Sequence, residues 1–410
     1  MGDQATSKRQ GPLSHIRVLD LGRIMAAPWA TQMFADMGAD VIKIERPGAG
    51  DDTRSWGPPY LTGSDGQPTR ESGYFLSVNR GKRSVAVDIA SPEGQQIVRQ
   101  LALTSDVVIE NFKVGALAKY GLDATSLRAL KPDLVYCSVT GFGQDGPRAE
   151  QAAYDFAIQA MGGLMSITGE RADLPGGGPQ KVGVPIVDLM TGMYAAVAIL
   201  AALANRAQTG QGETIDLAMF DVSMAFLANQ AMNHLVSGQP VVRTGNRHPN
   251  IQPQDVFPCA DGEFVLAVGN DGQFATLCAV LDMAEIARDE RFATNKARVA
   301  HHAVLHPILI EAFARHSKAD ITRMLEEAGV PAAPINQVHE VFQDPQALHR
   351  QMLRDLAHPL AGTVPQVVSP MRFSGAPLQF VAPPPLLGQH TAEVLEELAS
   401  APSHEGILDQ

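Results

Sequence analysis

The first third of the chain alternates two hydrophobic patterns. Short continuous apolar runs, such as HIRVLDLG and VIKIERP, are typical of strands that are buried on both faces. Stretches with apolar residues three or four positions apart, such as PWATQMFADMGAD, indicate helices between them. The alternation continues through SVAVDIA, SPEGQQIVRQLALTSD, VVIENF and LVYCSVTGFG. This order predicts an α/β fold with a parallel sheet covered by helices on both faces.

Ligands of such sheets bind outside the carboxyl ends of the strands. The loops that follow Leu21, Ile44, Val108 and Val139 are therefore the first places to expect a binding site.

The pattern changes in the second half of the chain. DLMTGMYAAVAILAALANR is apolar almost all round and predicts a core helix that Gly210 ends. Its uncharged run over residues 189–205 is shorter than the roughly 20 residues of a membrane span. Residues 245–340 combine a strand signal at EFVLAVG with polar, histidine-bearing helices, which indicates a smaller α/β domain.

Composition narrows the function classes. A chain of 410 residues with 45% hydrophobic residues can bury large cores, and its net charge of −12 argues against nucleic acid as a partner. Three cysteines without CxxC spacing and an N-terminus without a targeting pattern favour a cytoplasmic protein. An anionic ligand would need a local group of cations, and the candidates are Lys43 with Arg46, Arg80 with Lys82 and Arg83, and Lys113 with Lys119.

Asp188 is the most informative carboxylate, because it stands at the start of the apolar helix. A helix N-terminus favours an ionised carboxylate, and partial burial would increase its nucleophilicity. Position alone favours the simpler interpretation that Asp188 caps the helix, because Asp is among the commonest caps.

Other polar motifs carry less information. The segment GFGQDG has the GxGxxG spacing of a dinucleotide site but follows a late strand and precedes Pro147. Asn111 and Phe112 end another strand, where an amide and a ring suit a purine or pantetheine as well as a turn. No histidine pair has zinc-site spacing joined to a third ligand, so we expect no metal.

Together these segments resemble the family III CoA-transferases of the CaiB/BaiF type. The resemblance rests on VLDLGRIMAAPW, ERPGAGDDTR, NRGKRSVAVDIASPEG, VVIENF, VTGFGQDGP, VGVPIVDLM and PPPLLGQHT, which span almost the whole chain. ERPGAGDDTR, WGPPY and the PPPLLGQHT tail are most similar to the branch that uses succinyl-CoA and dicarboxylic acids, including succinate–hydroxymethylglutarate CoA-transferase.

The resemblance implies roles for particular residues. The catalytic aspartate of the family falls on Asp188, which would form a mixed anhydride and then an aspartyl-CoA thioester. The CoA contacts fall on Ile24, Met25, Ala26, Arg46, Val87, Asn111, Phe112, Lys119, Thr140 and Met219. For the distal carboxylate of a dicarboxylate acceptor we expect Arg23, with Arg247 and His248 as second candidates. An ion pair of Arg23 with Asp20 or Asp40 is the structural alternative.

The family also implies an architecture. A large Rossmann-like domain would be built from N- and C-terminal segments, with the smaller domain inserted and two ring-shaped subunits interlocked as a homodimer. The expected boundaries are residues 1–220 for the first part, 221–244 for a linker, 245–340 for the small domain, 341–361 for the return linker and 362–410 for the C-terminal segment. We expect acyl-CoA and small carboxylic acids as partners, no membrane, and no cofactor beyond CoA itself.

The nearest alternative function is an isomerase. α-Methylacyl-CoA racemases share this fold, but their His-Asp pair falls on Tyr154-Asp155 here, and a tyrosine with a pKa near 10 is a poor base at neutral pH. A nicotinamide-dependent dehydrogenase, suggested by GFGQDG, and a silent acyl-CoA-binding protein are weaker alternatives.

Overall fold

The computed structural model describes residues 10–380 and 382–400. They divide into two compact units. Unit 1 lies within Met1–Leu164, Val182–Val236 and Gln346–Gln410, and unit 2 lies within Met165–Lys181 and Ser237–Pro345.

The strands of the described residues follow in chain order. They are β1 (Arg17–Asp20), β2 (Asp40–Glu45), β3 (Tyr60–Thr62), β4 (Pro68–Ser72), β5 (Arg83–Ala86), β6 (Val107–Glu110), β7 (Val135–Thr140), β8 (Thr214–Ala218), β9 (Gln254–Cys259), β10 (Gly262–Ala267), β11 (Ala332–Pro334), β12 (Leu353–His358) and β13 (Gly362–Val367).

The α-helices of the same residues are α1 (Ala26–Asp36), α2 (Gly73–Val78), α3 (Pro92–Leu103), α4 (Ala124–Leu130), α5 (Asp155–Met161), α6 (Leu164–Ile167), α7 (Ile186–Thr209), α8 (Met219–Ala225), α9 (Ala228–Ser237), α10 (Asp271–Val280), α11 (Asn295–Ala300), α12 (His302–Phe313), α13 (Lys318–Glu327), α14 (Val338–Val341), α15 (Pro345–His349) and α16 (Thr391–Ser400).

The core of unit 1 is a six-stranded sheet in the order β5-β2-β1-β6-β7-β8, in which each neighbouring pair is parallel. Strands β1, β2, β5, β6 and β7 are almost fully buried, as in β6, where all four residues are buried, whereas Thr214 and Asp216 of the edge strand β8 are exposed. Helices supply two hydrophobic clusters, one with α1 and α7 and one with α3 and α16. The predicted α/β fold with a parallel sheet is confirmed.

Helix α7 packs closely against α1. Gly192 permits this approach, because a Cβ atom there would lie 2.6 Å from the carbonyl oxygen of Ala26 and 2.9 Å from the Trp29 ring. By length and composition alone α7 is also able to cross a membrane, with a mean hydropathy of 2.0. Core helices of globular proteins meet these two criteria as well, and the packing on α1 makes α7 a core helix of unit 1.

Several cations of unit 1 are buried in ion pairs. Lys43 lies 2.9 Å from Asp51, and both side chains are fully buried. Other buried or nearly buried pairs join Lys82 to Asp20, Arg80 to Asp36, and Arg83 to Asp40. Of the groups of cations in the sequence, the Arg80, Lys82 and Arg83 group is therefore not a ligand surface, because its charges are neutralised inside the fold.

Unit 2 has its own core. β9, β10 and β11 form an antiparallel sheet in the order β11-β10-β9. Phe257, Phe264 and Phe313 pack together, with ring centroids 5.0–6.5 Å apart. The strand predicted at EFVLAVG is β10, and the histidine-bearing helix is α12, which contains His302 and His306.

Candidate active site

The carboxyl ends of the central strands carry most of the predicted CoA contacts. Because all six strands are parallel, residues that follow them meet at one edge of the sheet. Thr140 ends β7, and eight other contacts follow the strands directly or begin the next helix: Ile24, Met25 and Ala26 after β1, Arg46 after β2, Val87 after β5, Asn111 and Phe112 after β6, and Met219 after β8. The tenth, Lys119, lies in a short 3-10 helix, Ala118–Tyr120, after β6. The structure thus brings together residues that are almost 200 positions apart.

A cavity of about 440 Å³ lies at the ends of β1, β2, β5 and β6. It is lined by Arg23, Arg46, Val87, Phe112 and Lys119 among the predicted residues, and also by the exposed Lys113. Lys119 lies with its Nζ 4.6 Å from the centre of the Tyr120 ring. Four exposed cations, Arg23, Arg46, Lys113 and Lys119, and apolar walls suit a nucleotide with phosphates.

A second cavity, of about 160 Å³, contains Asp188. Its lining includes Ile24, Ala26, Asn111, Thr140 and Met219. Arg23, Phe112 and Lys113 line both cavities, so the two spaces adjoin. Met25 is buried and lines neither of them.

The loop after β1 is held by two side chains from other strand ends. Asn111 accepts a hydrogen bond from the N–H of Arg23 at 2.8 Å and donates one to its carbonyl oxygen at 2.7 Å. The carboxylate of Asp51 accepts from the N–H of Ile24 at 3.2 Å. Ile24 has a φ of +70°, which is unfavourable for a β-branched residue and needs such support. The Asn111 amide therefore positions the loop, and its predicted contact with CoA stays a prediction.

Asp188 is buried in the first turn of α7, but it does not cap the helix. The backbone N–H groups of Val187 and Asp188 donate to the carboxylate of Asp155 instead, at 2.7 and 3.2 Å. No hydrogen-bond donor is recorded for the Asp188 carboxylate among the residues that the structure describes. The capping alternative is wrong, because α5 supplies the cap from 33 positions away.

Burial raises the pKa of Asp188 to about 7, and the negative charge of Asp155 adds to this rise. The expected effect of the helix N-terminus is absent because Asp155 already occupies the free amides. The site therefore destabilises the ionised carboxylate, which increases its reactivity once it has lost its proton.

The glycine-rich loop after β7 is held internally. The N–H of Gly143 donates to Thr140 at 2.9 Å and that of Gln144 donates to Asp216 at 3.0 Å. A Cβ atom at Gly141 would lie 2.3 Å from the Cβ atom of Ala153. No helix opens after this loop before α5 begins at Asp155, so the dehydrogenase interpretation lacks the helix that would receive a pyrophosphate.

The candidates for the acceptor carboxylate lie in different units. Arg23 is half exposed, 3.4 Å from Asp52 and 4.8 Å above the Phe112 ring, and it pairs with neither Asp20 nor Asp40. Arg247 and His248 belong to unit 2 and line neither cavity. The Nδ1 of His248 accepts hydrogen bonds from the backbone of Asn250 and Ile251, so its observed contacts are those of a turn.

Tyr74 was not identified from the sequence. It stands on α2 beside Trp56, with ring centroids 5.1 Å apart. Burial raises its pKa to about 12, and the charges of Asp188, Asp155 and Asp51 contribute. The phenol is therefore neutral at pH 7 and within electrostatic reach of Asp188, but Tyr74 lines neither of the two cavities. A single tyrosine on the short helix α2 carries no sequence signal for this interaction.

The raised pKa of Asp188 predicts a pH dependence. Attack requires the ionised carboxylate, so kcat/KM should rise as the pH increases through about 7. Asp155→Asn removes the neighbouring negative charge and should move this limb to lower pH. The measurement is the initial rate of thioester exchange between pH 5 and 9.

Glu110 provides the control for this experiment. Burial raises its pKa to about 7 as well, while it accepts hydrogen bonds from Ser138 and from the N–H of Phe112. Glu110→Gln should leave the pH limb in place. If the limb disappears in this variant and stays in Asp155→Asn, the titration belongs to Glu110 and not to Asp188.

Comparison with known proteins agrees with this site. The model of CoA-transferase family III matches residues 13–391. A succinate–glutarate CoA-transferase of Agrobacterium fabrum is 52% identical over 95% of this chain and 96% of its own length. The human succinyl-CoA:glutarate CoA-transferase is 41% identical over 94% of this chain and 86% of its own. The crystal structure of a CaiB/BaiF family protein from Brucella suis has a TM-score of 0.83 and 48% identity, and the match covers 95% of this chain and all of that one.

The chain therefore belongs to CoA-transferase family III, and it is a CoA-transferase. The two named relatives act on succinate or succinyl-CoA and glutarate, which supports CoA transfer with dicarboxylates and does not favour the racemase alternative. The structure adds a physical reason. Tyr154 replaces the histidine of the racemase pair, and Asp155 is engaged with the start of α7.

Proposed function

We propose that this chain transfers CoA from succinyl-CoA to a C4–C6 dicarboxylate, with Asp188 as the nucleophile. The observation that carries the proposal is the place of Asp188, buried in a cavity that adjoins a second, cation-lined cavity through Arg23 and Phe112. The nucleotide end of CoA would bind in the larger cavity near Arg46, Lys113 and Lys119, and the thioester would reach Asp188 in the smaller one.

The chemistry needs one carboxylate and no proton donor. An Asp188 oxygen attacks the thioester carbonyl, the C–S bond breaks, and a succinyl–aspartyl anhydride and CoA thiolate result. The thiolate attacks the aspartyl carbonyl, which releases succinate and leaves an aspartyl-CoA thioester. The acceptor carboxylate then displaces the thiolate in the same way, and the thiolate attacks the carbonyl carbon of the acceptor. This last step regenerates Asp188.

Two features of the site support this sequence of steps. Burial makes the Asp188 carboxylate reactive and keeps water away from the anhydride. The rigid loop after β1, fixed by Asn111 and Asp51, holds the backbone of residues 23–26 against the cavity.

The acceptor is a dicarboxylate whose second charge needs a cation. Arg23 lines both cavities, and its exposed pairing with Asp52 is weak enough for a substrate carboxylate to replace. Glutarate, which the relatives' names include, has the expected length and is the first acceptor to test.

The remaining properties in this proposal concern assembly and location. Tyr194 and Val197 expose apolar surface on α7, with Val197 62% exposed, and a second copy of the chain in a homodimer would cover it. No cofactor beyond CoA is required by the steps above. A cytoplasmic location remains a prediction from the sequence.

The test compares acceptors of equal length with one or two charges. With succinyl-CoA as donor, wild type should transfer CoA to glutarate at least about tenfold more efficiently than to valerate, because the second carboxylate gains a charge-assisted hydrogen bond. Arg23→Ala should lose most of this preference, while transfer to valerate changes little. New thioesters are identified by mass spectrometry.

Arg46→Ala is the matched control, since it removes another exposed cation of the same cavity. It should raise the KM for succinyl-CoA and leave the ratio of glutarate to valerate unchanged. An unchanged ratio in Arg23→Ala would exclude this role for Arg23. A wild type that prefers valerate would overturn the dicarboxylate class itself.

A further inference from the structure

Two histidines and an aspartate come together in unit 2, away from the residues discussed above. His302 and His306 lie one turn apart on α12, and Asp255 lies on β9. One ligand atom from each residue lies within 4.8 Å of the ligand atoms of the other two. Residues at positions i and i+4 share one face of a helix, which is a common way to present two imidazoles to one ion.

One ring nitrogen of each histidine in this group lacks a partner among the described residues. Nε2 of His302 and Nδ1 of His306 are buried and have no hydrogen-bond partner among the residues that the structure describes. Of the two Asp255 oxygens, Oδ1 accepts from the N–H of Val256 at 2.8 Å. Buried polar atoms are almost always paired, so two unpaired imidazole nitrogens beside a carboxylate indicate a missing ligand.

The surrounding structure holds the side chains in place. The His302 and His306 rings stack with centroids 5.0 Å apart, and His306 packs against Phe257 at 5.1 Å. Phe257 belongs to the core of unit 2, where it contacts Phe313. Such support holds the three ligand atoms within 4.8 Å of one another, and on binding they would approach the roughly 3.4 Å between ligands of a tetrahedral ion.

The neighbouring charges are mixed. The negative charge of Glu170 and the positive charge of Arg247 interact electrostatically with Asp255. Arg247 and Arg171 interact in the same way with His302. Arg171 is itself paired with Asp173 at 2.6 Å. A divalent ion would therefore lie near the carboxylates of Asp255 and Glu170, whose charges it would compensate, and near Arg247, which has no ion pair within the part of the chain that the structure describes.

We propose that Asp255, His302 and His306 bind a divalent transition-metal ion, for which Zn²⁺ is the best match. Two imidazole nitrogens and one carboxylate oxygen form a ligand set that favours Zn²⁺ over Mg²⁺ or Ca²⁺, and a fourth position would be left for water. The site joins α12 to β9 and goes beyond the CoA transfer of unit 1. The expectation of no metal rested on the absence of a third ligand in the sequence, and Asp255 supplies that ligand from 47 positions away.

The test uses full-length protein without a histidine tag, freed of metal by a chelator. Zn²⁺ is titrated against a competing chromophoric chelator, and wild type should bind one tight ion per chain. His302→Gln, which keeps most of the side-chain volume, should weaken binding at least about 100-fold, as should Asp255→Asn. Co²⁺ should give the visible absorption of a nitrogen-ligated, low-symmetry site in wild type only.

The exposed His339 on α14 provides the control. His339→Ala should bind Zn²⁺ like wild type. Circular dichroism of each metal-free variant shows whether it is folded. Equal Zn²⁺ affinity in wild type and in folded His302→Gln would overturn the proposal, as would an equal loss in His339→Ala. Because no arm of the test measures CoA transfer, its outcome is independent of the proposed function.

Discussion

Asp188→Asn should lower the rate of CoA transfer by at least about 10³-fold, because the amide cannot form the anhydride. Binding of CoA should remain, since the cations of the larger cavity are untouched. The rate of succinyl-CoA consumption with glutarate measures the first effect, and equilibrium binding of CoA measures the second.

The same substitution should stabilise the fold. Folding raises the pKa of Asp188 from its ordinary value of 3.8 to about 7. The free energy of unfolding therefore decreases as the pH rises from about 4 to about 7, because the folded protein must then carry a buried, ionised carboxylate. At pH 8, Asp188→Asn should be more stable than wild type by up to about 4 kcal/mol. Asp221→Asn, an exposed change on α8, is the control for both measurements. Normal turnover by Asp188→Asn, with deamidation excluded by mass, would remove Asp188 from the mechanism.

Lys43→Met should destabilise unit 1 by about 3–5 kcal/mol, because it leaves buried carboxylates without their counter-charge. The Lys43 ammonium donates to the carbonyl oxygen of Gly22 at 2.7 Å and pairs with Asp51 at 2.9 Å. Burial alone would raise the pKa of Asp51, but Lys43 and Thr53 lower it to about 2. Since Asp51 also holds Ile24, transfer activity should fall together with stability. Urea denaturation at pH 7.5 measures the change.

Two further variants separate the pair from simple loss of packing. Lys131→Met breaks the more exposed pair with Asp133 and should cost less than about 1 kcal/mol. Adding Asp51→Asn to Lys43→Met should recover part of the lost stability, because the orphaned charge is removed. If the double variant is less stable than Lys43→Met by the full cost of Asp51→Asn alone, the two residues are not coupled.

The sheet and its binding edge could be predicted from the sequence. Buried parallel strands are continuous apolar runs: β6 falls within the predicted VVIENF, and β2 begins one residue before the predicted VIKIERP. Parallel strands place their carboxyl ends at one edge. The four loops named from this rule all contribute to the two cavities, with Arg23, Arg46, Phe112 and Gly141.

The partners of charged side chains could not be predicted, because they come from distant parts of the chain. Arg80 was grouped with its neighbours as a basic patch, but it pairs with Asp36, 44 positions away. The sequence shows Asp155 only as half of a polar pair, but in the structure its carboxylate caps α7 and its charge contributes to the raised pKa of Asp188. Sequence spacing reports local geometry on one element and carries no information on which elements meet.

The covalent state of Asp188 during turnover tests the account most directly. The protein is incubated with succinyl-CoA in the absence of acceptor, quenched with hydroxylamine, digested and analysed by tandem mass spectrometry. The account predicts a hydroxamate at Asp188, formed from the anhydride or the aspartyl-CoA thioester, and none in Asp188→Asn. Active protein that carries the modification at another residue, or none at all, would contradict it.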